Sequence, residues 1–241
     1  MSTNGGKSYF KRGYGNRYPK KPLEPLPLDG SATITSLHPC KDDPARVTLF
    51  VNRRRLGRIL LDTKADHQLK IDTPWTQDLA DALNDELAQG NAYRAGIRIL
   101  TKRAKSAKEL ARKLKEYGYE PNAIAWTVER LTELQVLDDE NYARMVVRAQ
   151  LARKPAGRRL LSGKLYEKGI DSSLIDLVLD EALEERDTMA DARKLAQSAA
   201  RSISDRHEPE VRKRRITARL ARRGFDFDVI RKAVDELKLD G

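Results

Sequence analysis

The chain reads as mainly α: three tandem three-helix repeats forming an elongated, curved array, with a small N-terminal β-hairpin element and a disordered basic tail. Three observations point there. Segments rich in β-branched residues are confined to the stretch before Thr76. After it, one pattern of apolar residues recurs three times about a glycine. The 241 residues are 39% hydrophobic, 6% aromatic and 34% charged, which favours an open helical assembly with thin cores over one deep core.

Residues 1–30, "MSTNGGKSYFKRGYGNRYPKKPLEPLPLDG", combine Gly, Pro and Lys/Arg without any period. Such a stretch buries too little apolar surface to offset chain entropy, so it reads as a disordered, solubilising tail. Tyr9, Phe10, Tyr14 and Tyr18 alternate there with cations, a pattern that also suits stacking on single-stranded bases. Residues 31–75 hold "ATITSLHPC", "ARVTLFV" and "RLGRILLD", separated by "KDDP" and "NRR". These predict a β-hairpin or three-stranded element, too small to stand alone and therefore packed on the helices. A helical series begins at "TQDLADALNDELAQ" and divides into repeats over residues 76–137, 138–187 and 188–241.

The repeat is anchored on Gly118, Gly169 and Gly224. Eight residues before each lie Leu110, Leu161 and Ile216; four before lie Leu114, Leu165 and Leu220. Tyr119, Ile170 and Phe225 follow directly, then Ile124, Ile175 and Ile230 six residues after, and Val128, Leu179 and Val234 ten after. Apolar residues four apart make one stripe on a helix. The glycine ends that helix in the left-handed conformation, and the apolar residue behind it closes the cap. Glu120, Asp171 and Asp226 stand where the next helix needs an N-cap, and Pro121 suits a first turn. Ser106 and Glu109 have capping-box spacing. A further helix precedes each pair, at "AYRAGIRILTKR", "DENYARMVVRAQLARK" and "MADARKLAQSAARSI". Each unit is expected to bury its stripe partly against its neighbour, as in a solenoid.

Charge follows the same period. The formal net charge is +11, which suggests an anionic partner, nucleic acid or nucleoprotein. Residues 94–115 hold nine Lys/Arg and one acid, residues 153–168 six and one, and residues 211–223 seven and none. Residues 171–191 reverse this, with eight acids and one Arg. Two columns are basic in every copy: Lys108, Arg159 and Arg214, then Lys113, Lys164 and Arg219. Neither coincides with the leucine stripe, so both face solvent or a partner. A solvated helix face with ion pairs is the plain alternative. The density and the repetition favour a binding surface, to which the neighbouring Arg153, Lys154 and Arg158 are added.

Catalytic and cofactor chemistry finds no footing. Five residues separate Gly157 from Gly163 before Lys164–Leu165, whereas a phosphate-cradling loop needs four between its glycines and then Lys-Ser/Thr. His38, His67 and His207 lack metal-ligand spacing, and Ser162, Ser172 and Ser173 have no paired base. Cys40 is the single cysteine, which excludes an intramolecular disulfide. No cofactor is expected. No apolar run is long enough to cross a bilayer, and no signal core opens the chain, so the expectation is a cytosolic monomer with no membrane contact.

The second repeat, with "DDENYA", "GRRLL", a Leu four residues on, and "KGID", resembles the central segment of the RecX family, regulators of the RecA recombinase. "KSAKELARKLKEYGY" is similar to the preceding family segment, and "ITSL…VTLFV" to its strand region, so the resemblance runs from Thr33 to Leu237. It departs at "KRAKS", where the family favours more arginine, and in its strongly basic tail. The resemblance implies a non-enzymatic modulator that binds the groove of the RecA–DNA filament and restrains ATPase, strand-exchange and coprotease activities; a contact with single- or double-stranded DNA is a further expectation. The competing expectation is an autonomous DNA- or RNA-binding protein acting through its basic helices; against it, no helix carries an evident base-reading set of Asn, Gln and Arg.

Overall fold

The computed structural model describes residues 25–41, 43–184, 186–204 and 206–237. Tyr9, Phe10, Tyr14 and Tyr18, with the rest of residues 1–24 of the expected tail, lie outside the described residues. The first strand opens two residues inside the stretch expected as tail, at Asp29.

The N-terminal part is one antiparallel sheet of β1 (Asp29–Cys40), β2 (Asp43–Val51), β3 (Arg54–Leu60) and β4 (Pro74–Thr76), in the order β3-β2-β1-β4. Period-two alternation turns Val47, Leu49 and Val51 of β2 inward beside Ala32, Ile34 and Ile59. Asn52 and Arg53, both at positive φ, make the two-residue turn that suits the twist of a hairpin. The fourth strand is a departure from the expected two or three: three residues are too few to show a period, yet Trp75 of β4 is buried in the core. A second departure is α1 (Leu61–Asp66), which takes over the end of "RLGRILLD", where Leu60 and Leu61 are both exposed and the strand alternation has stopped.

The two segments "TQDLADALNDELAQ" and "AYRAGIRILTKR" are not separate helices. They fuse into α2 (Gln77–Lys102), 26 residues and about 39 Å long. Its first half puts Leu83 and Leu87 into the sheet core, and its second half puts Ala95 and Ile99 into the first helical unit. Packing on both partners outweighs the penalty of about 1 kcal/mol for an interior glycine at Gly90.

The first unit is completed by α3 (Ala107–Glu116) and α4 (Pro121–Glu133). The second is α5 (Asp139–Arg153), α6 (Arg158–Glu167) and α7 (Ser172–Glu184), and the third α8 (Thr188–Ser202), α9 (Pro209–Arg222) and α10 (Phe227–Asp235). Each has its own core: Leu110, Leu114 and Leu131; Leu161, Leu165 and Leu179; Ile216, Leu220 and Val234. The leucine stripe therefore closes inside its unit instead of against the next one, and the joints fall to polar and backbone groups.

All three second helices end in the same double closure. Gly118, Gly169 and Gly224 have φ of 82°, 75° and 78°. Their N–H groups donate to the carbonyls of Lys115, Tyr166 and Ala221 at 2.8–2.9 Å, while those of Tyr119, Ile170 and Phe225 reach Leu114, Leu165 and Leu220 at 3.1–3.4 Å. This is the Schellman arrangement with its apolar clasp. The acids behind it differ. Asp171 accepts from the Ser173 N–H at 3.0 Å, whereas Glu120 and Asp226 sit at N-cap positions without a side-chain hydrogen bond. Ser106 and Glu109 form both bonds of the capping box.

Candidate functional site

The second helices meet end to end. At the joint of the second and third units, the N-terminus of α6 abuts the C-terminal turn of α9. Gly157 N–H donates to the Arg223 carbonyl at 2.9 Å and Arg159 N–H to that of Gly224 at 3.2 Å. Donors that a helix start leaves orphaned are thus satisfied by carbonyls that a helix end leaves orphaned. The backbones pass so closely that a side chain at Gly157 would overlap the Gly224 carbonyl. Arg223 locks the joint, its Nε donating to the Pro155 carbonyl and its Nη2 to that of Lys154, each at 2.8 Å.

The joint of the first and second units repeats the plan with side chains. Ser106, which aligns with Gly157, donates through Oγ to the Lys168 carbonyl at 2.5 Å. The N-terminus of α3 thereby meets the end of α6. Glu109, buried at 9% exposure, accepts from Lys168 Nζ at 2.9 Å and from the Tyr142 hydroxyl at 2.8 Å. Asp139 of α5 accepts from the Ala107 N–H at 2.8 Å. Burial pushes the Glu109 carboxyl up, but the Lys168 ammonium, the Tyr142 hydroxyl and the nearby Lys105 together hold it below its ordinary value. Burial, then the Glu109 carboxylate, push the Tyr142 hydroxyl well up, and burial raises Asp139.

This end-to-end row positions the basic columns. Lys108 and Arg159 each occupy the second residue of a helix at a joint, and the Lys108 stem lies so close to Gly169 that a Cβ there would stand 2.7 Å away. Lys108, Arg159 and Arg214 are exposed, and their side chains make no hydrogen bond or ion pair among the described residues. The second column, expected to face outward, is half-buried. Lys164 has no side-chain partner among the described residues, but Arg219 donates to Ser202 at 2.8 Å and Lys113 pairs with Glu116 at 2.5 Å, which raises the Lys113 pKa. Arg153 and Lys154 are exposed, with side chains likewise unengaged. Arg158 turns back onto α7 of its own unit, pairing with Asp180 at 2.5 Å and Asp176 at 2.9 Å. The acidic third helix thus neutralises one of the nine cations singled out from the sequence, and the first two units' cation counts overstate the exposed charge.

Two cations serve the joints and were not separable in sequence from the basic runs: Lys168 and Arg223, each directly before its repeat glycine. The signal was there in the alignment, since that column reads Tyr117, Lys168, Arg223 and is basic only where another unit docks. Arg112 and Lys115 of α3, exposed and without a side-chain partner among the described residues, extend the row. Among the described residues no group of three His, Cys, Asp or Glu side chains could hold a metal ion, and no helix is long and apolar enough to cross a membrane. Cys40 is buried, 3.4 Å from the Thr48 hydroxyl.

Comparison with known proteins bears on the same three units. Family models described as the first, second and third three-helix domains of RecX match residues 92–131, 138–179 and 185–234. The regulatory protein RecX of Chlorobaculum tepidum is 33% identical over 150 residues, 62% of this chain and 90% of that protein. That of Mycolicibacterium vanbaalenii is 33% identical over 166 residues, 65% of this chain and 90% of that protein. A crystal structure of regulatory protein RecX superposes with a TM-score of 0.66 at 22% identity over 85% of this chain and 99% of the other. The structure of RecX from Lactobacillus salivarius gives 0.57 at 23% identity over 63% and 97%. At those identities the two structures attest the fold.

Proposed function

The chain belongs to the RecX family of regulatory proteins, and from that premise we propose that it is a non-enzymatic negative regulator of the RecA recombinase. It binds the groove of the RecA–DNA filament in the cytoplasm and restrains ATP hydrolysis, strand exchange and coprotease activity. The observation that carries this reading is the end-to-end row of second helices, which sets Lys108 and Arg159 at equivalent joints with neither side chain in a hydrogen bond or ion pair among the described residues. A row of cations at a fixed repeat suits a polyanionic assembly that is itself periodic. Lys164, Arg214, Arg153 and Lys154 extend the contact. Lys113, Arg158 and Arg219 join it by exchanging exposed or half-exposed partners, a small cost for surface pairs.

The test is single-turnover RecA filament assembly on single-stranded DNA at fixed salt, with and without this protein. Assembly and ATP hydrolysis should fall when it is present, and Arg159→Glu with Lys164→Glu should weaken the inhibition by about tenfold or more. Unchanged inhibition by a folded double variant rules out this face. Binding to naked DNA that vanishes between about 50 and 200 mM salt, whether or not RecA is present, would instead identify an autonomous nucleic-acid binder.

A further inference from the structure

Away from the second helices, where the sheet meets the first unit, lies a cavity of about 270 Å³ whose walls include Arg46, Arg58, Tyr93, Arg94, Trp126 and Arg130. Gly90 shapes it: a Cβ there would stand 3.1 Å from the Arg58 carbonyl, so α2 passes close against β3 and closes the back of the cavity. Tyr93 of α2 and Trp126 of α4 meet edge to face, with ring centroids 6.2 Å apart and planes at 66°. The two rings form a corner in which a flat aromatic ligand stacks on one face and meets the edge of the other.

The cations complete the chemistry. Four guanidinium groups and one carboxylate, Asp43, line the space. Arg46 is held by Asp43 at 3.2 Å and Glu86 at 3.6 Å. Arg130 has an exposed partner in Glu133 at 2.9 Å, a pairing weak enough for a phosphate to displace. Arg94, half-buried beside the rings, has no hydrogen bond or ion pair among the described residues. An arginine fork offered next to a stacking corner matches a phosphate joined to an aromatic base.

We propose that this cavity binds one nucleotide unit, its base against Trp126 and Tyr93 and its phosphate on Arg94 and Arg130. The volume falls just under the roughly 300–1,000 Å³ of drug-sized sites, which admits a single unit and not a dinucleotide. No Asn or Gln lines the cavity, so base identity matters little. The unit comes either from a free nucleoside monophosphate or from a single strand. The site is independent of the filament reading, since none of its residues lies on a second helix.

Trp126 supplies the readout, because the other tryptophan, Trp75, is buried in the sheet core at 4% exposure. The full chain is titrated with thymidine 5′-monophosphate, with a 5′-phosphorylated oligothymidylate and with polyglutamate, following tryptophan emission. Saturable quenching by both nucleotides, or by the oligonucleotide alone, supports the site; the second outcome assigns it to a strand. Arg94→Glu should raise the midpoint by at least about tenfold, and Arg159→Glu should leave the mononucleotide midpoint unchanged. Should Arg94→Glu misfold by circular dichroism, Arg94→Lys decides, with an expected intermediate midpoint. Absence of quenching by either nucleotide, an unmoved midpoint in the folded Arg94 variant, or equal quenching by polyglutamate would overturn the proposal.

Discussion

A methyl group on Gly118 meets no neighbour within 4 Å, whereas one on Gly224 would overlap the backbone of Leu160. All three repeat glycines need the left-handed conformation, but only Gly169 and Gly224 also receive the start of another helix. Gly118→Ala should therefore cost only the conformational penalty, about 1–2 kcal/mol. Gly224→Ala should cost more than about 3 kcal/mol, since the docked helix must move as well. Denaturant melts of the two variants check this, and equal losses would contradict the docking role. Glu109 offers a second test. Its folded pKa lies below the unfolded value, so its contribution is present above about pH 4.5 and fades as pH falls through the lower folded value. Glu109→Gln should destabilise by about 1–3 kcal/mol at neutral pH and should flatten the acid limb of the stability curve. A variant whose acid limb keeps the wild-type slope would show that other carboxylates set it.

Helix α2 is where local signals and packing part company. The Gly90–Asn91 pair looks like a boundary, and each flanking segment reads as a helix alone, yet two hydrophobic cores hold the whole length straight through it. Likewise β4 is legible only once Trp75 is seen to fill the sheet core, because three residues carry no period. The glycine caps and the capping box at Ser106 were readable because each depends on residues within one turn of one another, and the three-helix recurrence because one apolar pattern returns about Gly118, Gly169 and Gly224. Leu83→Ala should cost about 2–5 kcal/mol, because Leu83 is fully buried between α2 and the sheet. Hydrogen exchange should quicken in the sheet and leave the cores around Leu165 and Leu220 protected; uniform acceleration along the chain would show that the units do not open separately.

The candidate surface was legible in part for the same reason. The recurrence of Lys108, Arg159 and Arg214 is a property of the alignment, and their exposure follows from lying off the leucine stripe. The retreat of Arg158 onto Asp176 and Asp180 depends on how helices cross, which no spacing records, whereas the column of Lys168 and Arg223 stands out in the alignment without showing that both turn into the joints. The end-to-end meeting of the second helices also has an electrical consequence. At each joint the negative end of one peptide dipole faces the positive end of the next, so the partial charges there cancel in pairs. Along the row two remain uncancelled, a positive one where α9 begins at Pro209 and a negative one where α3 ends at Glu116. The row is thereby a vector with a head and a tail, its positive end in the third unit and its negative end in the first.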